Sequence, residues 1–232
     1  MSAVADKLRC VQQQIEDCAI RAGRKASDIR LIAVSKTRTL EEVRAVAACG
    51  QRDFGENTVQ DALSKIPYLN VTGINWHFIG HLQSKKAGRI PGHFQWLHTV
   101  DSLKLAQKLS AAMQNRQQTE PLNCLLQVNV SGEASKSGLA PEVVKPFLEE
   151  LLESELPLLN WRGLMTIGVK ADEVRTRSAF AGLRELQQAC ADEFALPGFN
   201  QLSMGMSGDY CLAVEEGATM VRVGAAIFGP RG

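Results

Sequence analysis

The chain lacks the features that mark membrane proteins and nucleic-acid-binding proteins. No stretch approaches the ~18 uninterrupted apolar residues of a membrane-spanning helix, and the first ten residues lack a basic patch followed by an apolar run. The 26 basic and 25 acidic residues leave a formal charge of +1, so no overall field attracts nucleic acid or an anionic membrane. We therefore expect a cytoplasmic protein without nucleic-acid or membrane partners, in which any bound anion is held by local groups.

The cysteines also lack a pattern. They show no CxxC pair and no Cys/His spacing that would suit a metal, which is typical of buried thiols in a reducing compartment. The sequence thus predicts neither a disulfide framework nor a metal site. The six residues are Cys10, Cys18, Cys49, Cys124, Cys190 and Cys211.

What the chain does contain is an eightfold alternation of two kinds of segment. Short, β-branched apolar stretches occupy residues 29–36, 53–57, 75–80, 96–101, 122–130, 160–168, 200–207 and 219–229. Amphipathic segments with helical spacing occupy residues 40–49, 102–114 and 141–154, and residues 3–22 form an extra N-terminal helix that ends at Gly23. Within the third segment, Pro146 predicts a kink.

Eight β/α units predict a single (β/α)8 TIM barrel domain that spans residues 1–232. An open doubly wound sheet is the alternative, and the absence of a GxGxxG turn after the first stretch disfavours it. In a barrel, ligand chemistry belongs at the carboxyl ends of the strands. The residues at those ends are therefore the candidates for function.

The first stretch ends in a lysine. Ile32, Val34 and Lys36 share one face of a strand, so an inward face places Lys36 at the barrel mouth. Removal from water there favours the neutral, nucleophilic amine, which can react with a carbonyl compound. An exposed lysine at the start of a loop fits the same pattern.

The seventh and eighth stretches carry groups that suit an anion. Arg222 lies between two valines, so it either joins a structural ion pair or contacts a ligand. Small residues follow it at Gly224 and Ala225, and residues 202–208 (LSMGMSG) offer hydroxyls and amides that can cradle phosphate, although ordinary turn chemistry also explains them. A lysine, a cation and a phosphate cradle suit pyridoxal 5′-phosphate (PLP) and equally a Schiff-base aldolase that acts on a sugar phosphate.

Six segments, taken together, resemble one known family. They are residues 31–36 (LIAVSK), 54–57 (FGEN), 76–86 (WHFIGHLQSKK), 163–165 (GLM), 202–207 (LSMGMS) and 221–224 (VRVG). The chain resembles the YggS-like pyridoxal phosphate homeostasis protein family, which is related to the N-terminal barrel of alanine racemases. It departs from the family at Thr58, where tyrosine is frequent, and at His81, where proline is common.

The resemblance implies the roles of the site residues. Lys36 forms the internal aldimine with PLP, Arg222 faces the pyridine nitrogen, and Ser203, Ser207 and the amides around Gly224 hold the phosphate. The other implied cofactor-binding residues are Asn57, Met165, Met204, Gly205 and Ala225. Lys136 matches a family lysine linked to PLP transfer or secondary binding, and a solvated loop lysine is the competing interpretation.

The resemblance also favours a non-catalytic role. An arginine disfavours protonation of the pyridine nitrogen, and the sequence ends four residues beyond Phe228, so we expect no second domain with a catalytic tyrosine. We therefore expect a monomeric PLP carrier that buffers or delivers the cofactor to PLP-dependent apoenzymes. The alternatives are a PLP-dependent racemase or lyase and a barrel that regulates protein partners. The four histidines, at positions 77, 81, 93 and 98, are interpreted as satisfied core or surface residues.

Overall fold

The computed structural model describes residues 3–133, 136–169 and 172–230. The strands are β1 Arg30–Val34, β2 Asp53–Glu56, β3 Asn75–Phe78, β4 Trp96–Val100, β5 Leu122–Gln127, β6 Leu159–Met165, β7 Gln201–Ser203 and β8 Met220–Val223. The α-helices are α1 Ala3–Arg21, α2 Leu40–Ala48, α3 Val59–Leu63, α4 Leu103–Asn115, α5 Val144–Glu153, α6 Glu173–Glu193, α7 Tyr210–Glu215 and α8 Ala225–Phe228. Short 3-10 turns lie at Ala26–Asp28, Ile66–Tyr68, Ser84–Arg89 and Pro141–Val143.

The strands form a closed parallel barrel in the order β1 to β8. Closure occurs between β1 and β8, where Ile32 is opposite Arg222. The predicted TIM barrel and its N-terminal helix are confirmed, and the open-sheet alternative is wrong. Each predicted stretch overlaps one strand. The last strand is much shorter than the predicted stretch 219–229, because β8 ends at Val223 and α8 begins at Ala225.

The barrel has two apolar layers. Its interior, here called the lumen, contains a buried cluster from five different strands, and a larger core fills the space between the strands and the helices. Because side chains alternate along a strand, residues two apart from a member of the lumen cluster also point inward. The lumen cluster comprises Ile32, Trp96, Leu125, Met165 and Met220.

The helix boundaries follow local rules, with one correction. Thr39 and Glu42 form a capping box at the start of α2, and Gly50 follows that helix with a φ of 93°. The predicted kink at Pro146 is wrong, because a 3-10 turn precedes α5 and the α-helix begins at Val144. Pro146 therefore lies in the first helical turn, where an N–H has no intrahelical acceptor.

The cysteines also differ from the prediction. Cys18 of α1 and Cys211 of α7 form a disulfide across 193 residues of sequence, and Cys10 and Cys49 are exposed, whereas Cys124 and Cys190 are buried thiols. The pairing arises because α1 packs against α7, a contact between the two ends of the chain that cysteine spacing does not reveal. No three His, Cys, Asp or Glu side chains in the described part are arranged to hold a metal ion.

None of the helices within residues 3–133, 136–169 and 172–230 combines the length and apolar character that crossing a bilayer requires.

Candidate functional site

The site residues that the sequence predicts lie at the carboxyl ends of five neighbouring strands, β6, β7, β8, β1 and β2, apart from Lys136, which follows β5. Val34 is opposite Gly55 and Ala33 is opposite Val223, so Lys36, Asn57 and Gly224 follow their strands at the same rim of the barrel. Lys36 is half-buried there. The structure thus places the lysine next to both the β2 and the β8 strand ends.

The backbone on both sides of Lys36 is held by hydrogen bonds. The Ser35 N–H donates to the Gly55 carbonyl over 3.0 Å, and the Thr37 N–H donates to Asp61 Oδ2 over 2.6 Å. Thr37 has a φ of 63°, an unusual conformation for a β-branched residue. Such strain, of order 1–3 kcal/mol, tends to occur at functional sites and requires support from the surroundings.

A buried ionic cluster, formed by Glu56, Asp61 and Lys65, supplies that support. Lys65 Nζ donates to the Ser35 carbonyl, to Glu56 Oε1 and to Asp61 Oδ1, each over 2.8 Å. The Ser35 hydroxyl also donates to Glu56 Oε1 over 2.6 Å. Burial raises the pKa of Glu56 to about 7, against the hydrogen bonds from Lys65 and Ser35. No local pattern in the sequence predicts this cluster, because its members come together only in the folded chain.

Arg222 projects into the lumen above Met220. Its Nη1 donates to Ser203 Oγ over 2.7 Å and its Nη2 donates to the Thr166 carbonyl over 2.8 Å. Burial lowers the pKa of Arg222 to about 10, partly opposed by the charge of Asp209, so the guanidinium stays protonated at neutral pH. Among the described residues no carboxylate forms a salt bridge with it, so its buried charge has no paired anion in that part of the chain.

Ser203 is the last residue of β7. It is fully buried, and its hydroxyl contacts Arg222 and His98 Nδ1, the latter over 2.8 Å, rather than facing the turn that follows β7. Ser207 is the hydroxyl of that turn, and it accepts the Gly224 N–H over 3.3 Å. The candidate phosphate cradle therefore consists of Ser207 and the start of α8, where Ala225 is exposed.

Met204 and Gly205 lie between these two serines. The Met204 side chain is buried in the outer core, so only its backbone is directed toward the site. Gly205 has a φ of 91°, its carbonyl accepts the Arg222 N–H over 2.9 Å, and a Cβ there would lie 2.5 Å from Cβ of Ala213. The glycine is thus required for the close approach of the turn to α7.

Asn57 lies at the rim, and Met165 lies in the lumen below it. Asn57 is half-buried, and its backbone packs so closely on Gly80 that a Cβ at Gly80 would lie 2.0 Å from the Asn57 carbonyl oxygen. This contact explains the glycine in the WHFIG segment. Met165 is buried in the lumen cluster, on the β6 strand that precedes the Thr166 carbonyl bonded to Arg222.

Lys136 lies beside the turn after β7. Its Nζ donates to Glu133 Oε1 over 2.7 Å and to the Gly168 carbonyl over 3.0 Å, so it is held by the protein and is only half-buried. It borders a cavity of about 630 Å³ that also touches Met206 and Asp209. The interpretation as a freely solvated loop lysine does not fit these contacts.

Two of the histidines that the sequence predicts as satisfied core or surface residues lie directly below the site, in the lumen. His77 and His98 are fully buried in the lumen, their rings hydrogen-bonded to each other, and His98 contacts Ser203. Burial lowers the pKa of both, most strongly for His98, which also lies near the charge of Arg222. The available signal was their inward register on β3 and β4, whereas His81 is exposed and His93 is half-buried.

Comparison with known proteins agrees with this geometry. The family model described as "Alanine racemase, N-terminal domain" matches residues 3–232. A pyridoxal phosphate homeostasis protein of Pseudomonas aeruginosa is 49% identical over 232 residues, covering 100% of this chain and 97% of the relative. The corresponding Escherichia coli protein is 42% identical over 237 residues, covering 100% and 98%.

Solved structures show the same relationship. PipY of Synechococcus elongatus, in its structure with PLP bound, has a TM-score of 0.83 and 35% identity, with 97% of this chain and 100% of that chain covered. An alanine racemase of Clostridium difficile, at 17% identity and a TM-score of 0.71 over 97% of this chain and 57% of its own, shares the fold. This chain therefore belongs to the alanine racemase N-terminal domain family and, within it, to the pyridoxal phosphate homeostasis proteins.

Proposed function

We propose that this protein binds PLP at the rim formed by β1, β2, β7 and β8 and serves intracellular PLP homeostasis by buffering and delivering the cofactor. The observation that carries the proposal is the buried Arg222 guanidinium, which forms no salt bridge with a carboxylate of the described residues, at the same end of the barrel as Lys36. The full-length relatives carry the name pyridoxal phosphate homeostasis protein, and the PipY structure contains PLP.

The donor set of the rim fits the chemistry of this cofactor. PLP supplies an electrophilic aldehyde and an electron-withdrawing pyridine ring when bound. Lys36 is the amine that would hold the aldehyde, Ser207 and the amides around Gly224 and Ala225 would hold the phosphate, and Arg222 would face the ring nitrogen. Asn57 and Met165 would line the ring, with the backbone of Met204 and Gly205 behind the phosphate turn.

Arg222 also favours a carrier over an enzyme of amino-acid chemistry. The guanidinium keeps its proton at neutral pH, so it disfavours a second proton on a ring nitrogen beside it. A neutral ring nitrogen makes the cofactor a weaker electron sink. The second candidate function is a PLP-dependent racemase or lyase, which the shared fold with alanine racemases supports.

We take PLP-dependent apoenzymes of the cytoplasm as recipients and the monomer as the working form. Lys136, which borders the cavity next to the turn that contains Ser207, is a second PLP-binding or transfer position. Its amine would need to leave Gly168 and Glu133 in order to react.

The test of cofactor binding is a visible absorbance spectrum of purified protein before and after PLP addition. We expect a band of the lysine-bound cofactor in the wild type and in Lys108→Ala, whose lysine is exposed on α4, and no such band in Lys36→Ala. A wild-type protein that stays colourless with excess PLP would refute the proposal.

The test of the carrier role is reactivation of a PLP-free apoenzyme by the loaded protein. We expect transfer without any other protein factor, and slower transfer from Lys136→Ala. Sustained stereoinversion of an amino acid by the wild type, lost in Lys36→Ala, would instead establish the racemase function.

A further inference from the structure

A continuous row of polar side chains crosses the barrel lumen from its amino-terminal mouth to Arg222. Asp53 Oδ1 contacts His77 Nε2 over 3.0 Å, and His77 Nδ1 contacts His98 Nε2 over 2.9 Å. His98 Nδ1 contacts Ser203 Oγ over 2.8 Å, which in turn contacts Arg222 Nη1 over 2.7 Å. The rim of the site and the opposite mouth of the barrel are thus joined by four hydrogen bonds.

The direction in which the hydrogen bonds of this row are donated follows from the bond between Arg222 and Ser203. A guanidinium only donates, so Ser203 Oγ accepts from Arg222 and has its single O–H left to give. The remaining partner of that hydroxyl is His98 Nδ1, which must therefore be unprotonated.

The tautomer of each histidine ring then determines the tautomer of the next ring. A neutral His98 with a bare Nδ1 carries its hydrogen on Nε2, which donates to His77 Nδ1. His77 in turn carries its hydrogen on Nε2 and donates to the Asp53 carboxylate. Burial, which lowers the pKa of both histidines, agrees with two neutral rings.

The reverse direction leaves buried groups without partners. If His98 Nδ1–H donated to Ser203, the Ser203 hydroxyl, which is fully buried, would have no acceptor among the partners that it contacts. At the lower end, a bare His77 Nε2 would face a carboxylate oxygen. Unpaired buried polar groups are strongly unfavourable, so one tautomer of each ring satisfies the whole row.

We propose that His98 and His77 are positioning residues that lock the Ser203 hydroxyl as an acceptor and thereby fix the Arg222 guanidinium toward the ligand. Ser203 and the Thr166 carbonyl hold one Nη nitrogen each, so the plane of the guanidinium is set before any ligand arrives. The tautomer assignment stands on the apoprotein alone. The identity of the ligand as PLP rests on the proposed function.

The first test is ¹⁵N NMR of the histidine rings in the cofactor-free wild-type protein. We expect His77 and His98 both as neutral Nε2–H tautomers, without titration between about pH 6 and 8. A His98 ring with its hydrogen on Nδ1, or a charged His77 at neutral pH, would overturn the proposal.

The second test compares two substitutions at one position in the PLP-titrated protein. His98→Leu removes the acceptor of the Ser203 hydroxyl, whereas His98→Asn retains an oxygen acceptor near the Nδ1 position. We expect His98→Leu to bind PLP about tenfold more weakly, as for the loss of a hydrogen bond that orients a charged group, and to shift the pH midpoint of the visible band. We expect His98→Asn to stay within about threefold of the wild type.

His93→Leu, a histidine substitution outside the lumen, is the matched control and should keep wild-type affinity and pH profile. Equal affinity and an unchanged pH profile in His98→Leu would overturn the proposal. If His98→Leu does not fold, Ser203→Ala takes its place: weak binding by Ser203→Ala together with near-wild-type binding by His98→Asn supports the proposal, and wild-type binding by Ser203→Ala contradicts it. Absence of PLP binding by the wild type would refute the proposed function and leave the NMR test decisive for the row.

Discussion

The two sides of the site hold their cationic residues by opposite means. On the Lys36 side, the charged groups Glu56, Asp61 and Lys65 hold the backbone around the lysine from outside the barrel. On the Arg222 side, neutral groups inside the lumen hold the guanidinium itself. The position of a residue that reacts depends on its backbone, whereas a residue that only orients a ligand needs a fixed side chain. The charged side should respond to pH and the neutral side should not.

The largest expected effect comes from removing the ammonium of the Glu56, Asp61 and Lys65 cluster. Lys65→Met leaves Glu56 and Asp61 without their shared partner, and breaking a buried ion pair in this way costs about 3–5 kcal/mol in the free energy of unfolding. Urea denaturation measures the loss, and Lys108→Met on the exposed face of α4 is the control. A loss below about 1 kcal/mol would show that the charged side is not what supports Thr37 and Lys36.

The disulfide lies on the Arg222 side of the site. It ties α1 to α7, the helix that follows the Ser207 turn, and it closes a loop across 193 residues. We expect reduction to lower the free energy of unfolding by about 2–4 kcal/mol, the range for native disulfides. Urea denaturation with and without reductant tests this, and Cys18→Ser should be insensitive to reductant. If reduction leaves the free energy of unfolding of the wild type unchanged, the disulfide adds no stability to this side.

The next effect is the pH dependence of the charged side. The folded pKa of Glu56, about 7, lies above its ordinary value of 4.5, so the folded state holds the proton more tightly than the unfolded state. The stabilisation from this group is therefore present below about pH 4.5 and is lost as the pH rises through about 7, by an amount on the order of 3 kcal/mol.

Urea denaturation at several pH values measures this decline, which Glu56→Gln should remove. Glu149→Gln, on the exposed surface of α5, is the control and should retain it. An identical pH profile in the wild type and in Glu56→Gln would contradict the assignment.

The sequence was sufficient for the barrel because each parallel strand is buried on both faces and leaves a short apolar stretch between helical segments. It was also sufficient for the positions of Lys36 and Arg222, since strand periodicity determines which residues point inward. It was insufficient to predict the contacts of Lys65, the hydrogen bonds of Ser203 and the Cys18–Cys211 disulfide. Their roles depend on contacts between segments far apart in the chain, such as Lys65 with Ser35, and no local pattern encodes such a contact.

The smallest expected effect concerns Asp53, at the lower end of the lumen row. If both histidine rings of the row are neutral, Asp53→Asn keeps an oxygen that accepts the His77 Nε2–H and loses only the 3.6 Å pair with the half-exposed Arg30. The free energy of unfolding should then fall by less than about 1 kcal/mol, against about 1–3 kcal/mol for Asp53→Leu, which leaves the buried N–H of His77 unpaired. Urea denaturation at pH 7 compares the two variants. Equal losses would mean that the charge of Asp53, and hence a protonated His77, supports the row, and the contrast between a charged side and a neutral side would fail.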